Sequence, residues 1–76
     1  MIRPGDTVLT KERWGFLTLS SQPDITAADS DNVGNLQHDQ PALVLAVTDT
    51  AIMVMVPKGD GGVWFGWREK EQFRLA

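Results

Sequence analysis

Ala42-Leu-Val-Leu-Ala-Val-Thr48 and, after Asp49-Thr50, Ala51-Ile-Met-Val-Met-Val-Pro57 decide the fold. Both runs are seven residues long, rich in β-branched side chains and bounded by turn formers, so they predict an antiparallel hairpin. Asp-Thr is a weaker tight-turn pair than Asn-Gly, which predicts a wider turn. Alternation along the second run puts Ile52, Val54 and Val56 on one face and Met53 and Met55 on the other. Along the first run, Leu43, Leu45 and Val47 are expected inside, with Val44 and Ala46 outside. A half-exposed antiparallel strand should carry polar residues on its outer side. These strands carry none, so their outer face needs a cover or serves as a binding surface.

Working outward, Lys58-Gly-Asp-Gly-Gly62 reads as a turn, because glycine tolerates positive φ. Val63-Trp-Phe-Gly-Trp67 is the next strand, with Gly66 a bend or bulge. Simple alternation sends Val63, Phe65 and Trp67 inward and Trp64 outward. Arg68 to Gln72 is a charged, helix-favouring single turn, and Phe73-Arg-Leu75 a short closing strand. Towards the N-terminus, a strand is expected around Val8 after Pro4-Gly5, and a strand-like piece at Trp14-Gly-Phe-Leu-Thr-Leu19, where Gly15 marks a bulge or close approach. Residues 20–41 are dense in turn residues and predict a long loop, with Asp24 as N-cap of one helical turn over residues 25–29. Apolar periodicity of 3.6 is absent, which excludes an alternating βαβ plan.

The chain has 76 residues, room for one domain spanning 1–76. A domain this small buries only about 60–65% of its unfolded surface, so stability should be modest. Cysteine is absent, which removes disulfides, thiolate metal sites and thiol nucleophiles. The start turns polar at once and the apolar runs are too short to span a bilayer, so a soluble cytoplasmic protein without a signal peptide is expected. The net charge is −3. Residues 21–40 hold Asp24, Asp29, Asp31 and Asp39 and no Lys or Arg, leaving the remainder at net +1. Nucleic-acid binders rely on a basic stripe to neutralise phosphates. Here cations sit beside acids, as in Lys11-Glu-Arg13 and Arg68-Glu-Lys-Glu71, which disfavours non-specific nucleic-acid binding.

No constellation for catalysis is readable, and no cofactor or metal site is expected. His38 is the only histidine and has just Asp39 beside it in sequence. Asp29-Ser-Asp31-Asn-Val-Gly34 echoes a calcium loop, but Val33 and Gln40 fall where oxygen ligands are needed. An Asx-turn loop is the simpler reading. Gly59-Asp-Gly-Gly62 precedes a strand, whereas a phosphate loop precedes a helix.

The order of strand, long loop, strand, short turn, strand, Gly turn, strand, single turn and strand resembles the SH3-like barrel. Gly66 and Phe73 reproduce the spacing with which SH3 domains end: a glycine, an apolar residue, a one-turn helix and a closing strand. Pro4-Gly-Asp-x-Val8 looks like the opening of many small phage and bacterial barrels. The resemblance implies an all-β, five-stranded barrel with a long acidic loop, residues 20–41, between its first and second strands. It does not carry over polyproline binding. The chain has no Tyr, Ala42-Leu43 stand where a Trp pair would begin, and Glu69 and Gln72 replace the groove's Pro and Tyr.

The expected function is a non-enzymatic protein-interaction module or small accessory subunit. Its candidate surface is Trp64, Met53, Met55, Val44 and Trp14. The 20–41 loop using Ile25, Val33 and Leu36, a second copy, or a different protein would each cover that surface. A nucleic-acid-binding small barrel of the KOW type is the alternative, with strand-face aromatics stacking on bases.

Overall fold

The computed structural model describes residues 1–11, 16–24, 26, 29–37 and 40–76. Trp14, Gly15, His38 and Asp39 lie outside these residues, as do positions 25, 27 and 28 of the helical turn expected over residues 25–29. The chain is all-β: β1 (Thr7–Thr10), β2 (Phe16–Ser20), β3 (Asn32–Gln37), β4 (Ala42–Val47), β5 (Ala51–Pro57), β6 (Val63–Glu69) and β7 (Phe73–Leu75), with a 3₁₀ turn at Lys70–Gln72. The strands make one antiparallel sheet in the order β3-β2-β6-β5-β4-β1-β7, curled into a half-barrel. Seven strands replace the five expected. The extra pair arises because β2 has its own partner inside the stretch read as a loop: β3 runs from Asn32 to Gln37 and pairs with β2 from Phe16↔Gln37 to Ser20↔Asn32.

The hairpin β4–β5 forms where expected, but its turn is tight. Thr48 N–H donates to the Ala51 carbonyl at 2.8 Å, leaving only Asp49 and Thr50 in the loop. No non-glycine among the described residues has positive φ, so this is not the primed turn that Asn-Gly would favour. The Thr48 hydroxyl compensates by accepting from Ala51 N–H at 3.0 Å. The second turn behaves as read: Lys58 N–H bonds the Gly62 carbonyl at 2.9 Å, and Gly61 has φ 93°.

The inner face of the curl is the core. Val8, Leu19, Leu36, Ala42, Val44, Ile52, Val54, Val56 and Phe73 are buried together, with Ile2, Val47 and Trp64 packed against them. Two expected face assignments are inverted. On β4, Val44 is inside, at 1% exposure, and Leu43 and Leu45 are outside. Its amide and carbonyl bond the Asp6 carbonyl at 2.9 Å and the Gly5 amide at 2.8 Å, fixing this phase. A register shift between Val44 and Ala46 makes Leu45 an extra residue, which lets Val44 and Val47 both face inward. On β6, Gly66 is not a bulge, because its ladder with β5 runs unbroken from Ala51↔Glu69 to Pro57↔Val63. Gly66 is a close approach. A Cβ there would lie 2.9 Å from Leu19 Cβ, the Ser20 carbonyl oxygen and Val33 Cγ2. The reciprocal position on β3, Gly34, would put a Cβ 2.8 Å from Cβ and Cγ of Trp64. The β2–β3 hairpin thus crosses the inner side of β6 at two glycines. With Gly66 facing in, period two turns Trp64 and Arg68 inward and Val63, Phe65 and Trp67 outward.

Candidate functional site

Directly opposed residues in a ladder share a face. Leu43↔Met55 and Met55↔Phe65 therefore form one row across the outer side of β4, β5 and β6. Ala46↔Met53 and Met53↔Trp67 form the next, with Leu45 beside it and Val63 continuing beyond Phe65. Leu45 is 40% exposed, Val63 46% and Phe65 54%. Met53, Met55 and Trp67 are half-buried. Three adjacent strands thus show an uncharged, flexible-sided apolar surface, bordered on its β6 side by Ser20, Ser21 and Val33.

Of the five expected surface residues, Met53 and Met55 are on this face. Val44 is a core residue, and Trp64 points to the core side, resting on Gly34, with Lys58 Nζ 5.9 Å from its ring centroid. Trp14 lies outside the described residues. The residues that alternation misplaced, Phe65, Val63, Leu45 and Leu43, are the most exposed of the outer set. Gly66 held the signal: a glycine forced by close packing marks the packed face, so its odd-numbered neighbours face away.

A groove of about 390 Å³ runs along the free side of β6, lined by Val63, Phe65, Trp67, Met53, Val33 and Ser21 among others. It exists because β2 meets β6 only at Ser20↔Trp67 and then turns away. Ser21 N–H bonds the Asp31 carbonyl at 2.9 Å, and its Oγ accepts from Asp31 N–H at 2.9 Å. This reciprocal pair ties the backbone of Asp31 to Ser21, which lines the groove; the charged residue lining it is Lys58. On the opposite side of Trp64 is a polar cleft of about 550 Å³ lined by Asn35, Gln37, Gln40, Pro57, Lys58 and Gly59. Gln40 is already engaged there, donating Nε2 to the Pro57 carbonyl at 3.1 Å and accepting from Gln37 N–H at 3.4 Å.

The acidic segment is built from local turns. Asn32 Oδ1 accepts from Gly34 N–H at 3.1 Å, so the residues echoing a calcium loop enter a strand instead. Asp24 Oδ1 accepts from the hydroxyl of Thr26 at 2.7 Å and from its N–H at 3.0 Å. Those bonds, the hydroxyl's first, hold the Asp24 carboxyl below its ordinary value. No group of three or more His, Asp or Glu converges on a metal-sized site among the described residues. Among them, no helix is long and apolar enough to cross a membrane. The chain matches no protein-family model, no curated protein and no solved structure.

Proposed function

We propose that this chain is a non-enzymatic protein-interaction module, a small accessory subunit on an SH3-like barrel that docks through the outer face of β4, β5 and β6. The barrel reading is supported by chain order. Strands β1, β4, β5, β6 and β7 succeed one another through a long connection, a short turn, a glycine turn and a 3₁₀ turn. The single observation that carries the functional reading is the cross-strand row Leu43–Met55–Phe65, apolar throughout and ending in a phenylalanine more than half exposed. Apolar patches of this kind on small domains mark interaction sites, and methionine and aromatic side chains are enriched in them.

Light scattering after size exclusion tests the reading, together with Phe65→Asp. The expected result is a native chain that self-associates or binds a partner through this face, and a folded F65D chain that does neither. Unchanged assembly in F65D refutes it. A second reading, binding of single-stranded nucleic acid, draws support from Phe65 and Trp67 standing two apart on one strand face. It predicts salt-sensitive binding of oligonucleotides that F65D weakens, and absence of binding at low salt ends it.

A further inference from the structure

We infer that the polar cleft beside Trp64 binds a saccharide whose ring carries a carboxylate, a hexuronate unit. The cleft lies across Trp64 from the groove of the outer face, and its volume of about 550 Å³ is that of a small-ligand site. β3 and two turns build it. Asn35 and Gln37 stand two apart on β3 and so face the same way. The β3–β4 turn closes with Gln40 N–H donating to the Gln37 carbonyl at 3.1 Å, which sets Gln40 beside Gln37. Pro57, Lys58 and Gly59, where β5 passes into its turn, complete the lining with Trp64.

Three carboxamides, one indole, one ammonium and one proline ring line the cleft, and no carboxylate does. Among the described residues the Asn35 and Gln37 carboxamides have no hydrogen-bond partner, nor has the Trp64 N–H, which reaches solvent. Gln40 is held at both ends, by the Pro57 carbonyl and by Gln37 N–H. It is therefore oriented before a ligand arrives, with one N–H and one lone pair to spare. Each carboxamide sets a donor beside an acceptor, and two neighbouring hydroxyls answer that pattern, one accepting and one donating. The C–H face of a sugar ring suits an indole, which offers a flat apolar body with a polar edge. Charge then selects among sugars. Lys58 Nζ stands 5.9 Å from the centre of the Trp64 ring, with no carboxylate paired to it among the described residues. Asp60, two residues on, accepts instead from Gly62 N–H at 3.0 Å. An acidic group on a ring packed against Trp64 meets a cation that has no competing anion. A nucleotide would also stack, but each phosphate adds negative charge, and the cleft has one cation in a chain of net charge −3.

The test titrates the ¹⁵N-labelled full chain with a hexuronate trisaccharide, the matching neutral hexose trisaccharide and adenosine monophosphate. With the uronate, saturable shifts are expected at the side-chain NH₂ signals of Asn35, Gln37 and Gln40 and at the Trp64 indole N–H. The neutral sugar should bind about tenfold more weakly, the loss of one charge-assisted hydrogen bond. Lys58→Met keeps the stem and should abolish that preference, with the amide spectrum showing the fold intact. Gln37→Ala, at an exposed side chain with no bond to lose, should weaken both sugars about fivefold. Equal binding of the two sugars by the parent chain overturns the inference. So does a preference that survives Lys58→Met, tighter binding of the nucleotide, or no binding. Phe65→Asp should leave uronate binding unchanged, because Phe65 does not line the cleft. A failed sugar titration beside assembly that F65D abolishes therefore ends this inference alone and leaves the outer-face reading standing.

Discussion

Replacing Gly66 by alanine should cost this protein a large share of its stability. The new Cβ would sit 2.9 Å from three atoms on two strands, one of them the backbone oxygen of Ser20, which no rotamer change can move aside. Overpacking of this kind costs about 1–3 kcal/mol. Fewer unfolded conformations return about 0.4–1 kcal/mol. Because a carbonyl is among the obstacles, the upper half of the penalty applies, and the net loss is about 2 kcal/mol. A chain of this length holds roughly 4–11 kcal/mol in all. The melting temperature should therefore fall by about 8–16 °C, and the urea midpoint by about 2 M. Urea unfolding followed by tryptophan fluorescence measures both Gly66→Ala and its control, Gly59→Ala. Nothing lies within 4 Å of a Cβ at Gly59, and its φ is not in the left-handed region, so that change should stabilise slightly. A Gly66→Ala midpoint within measurement error of the parent would refute the crossing of β3 over β6, and with it the inward turn of Trp64.

Three further outcomes follow from the same packing. Arg68 stands opposite buried Ile52, its Nε buried without a partner and its Nη1 3.4 Å from Thr18 Oγ1. Arg68→Met keeps the stem's packing and removes an unsatisfied donor, so thermal unfolding should show stability unchanged or raised by about 1 kcal/mol, and a clear loss would contradict this. Gln40→Ala removes the bond from its side chain to the Pro57 carbonyl and the one it accepts from Gln37 N–H, and should cost about 1 kcal/mol, with faster exchange at Gln37 N–H. Thr26→Val deletes the larger of the bonds that depress Asp24. A group with a lowered folded pKa stabilises above its unfolded value and loses that stabilisation as pH falls through the folded one. Carboxyl ¹³C titration should show the Asp24 midpoint rising in the variant, and no movement would disprove the cause given.

Much of the architecture was legible because β5 and the glycine turn after it speak unambiguously. Ile52, Val54 and Val56 alternate with two flexible thioethers, and Gly61 supplies the φ the turn demands. The faces of β4 and β6 were not legible from alternation. Both strands are apolar at odd and even positions, so pattern alone has no phase. The phase comes from distant contacts: the Gly5 and Asp6 backbone at Val44, and the crossing of Leu19 and Val33 at Gly66. β3 was hidden because Asn32-Val-Gly-Asn-Leu-Gln37 has turn-forming composition, and its strand geometry comes from pairing with β2. Of the candidate surface, Met53 and Met55 were foreseeable, while Phe65 required knowing which way Gly66 faced.

The β2–β3 arm meets β6 through one ladder pair, Ser20↔Trp67, and contact across Gly34 and Gly66, and it also delivers the fully buried Leu19 and Leu36 to the core. Lifting the arm would therefore strip Trp64 of its lid and empty two core positions at once. Arm and sheet share one cooperative unit, so a protease reaches residues 29–37 by global unfolding and not by a local swing.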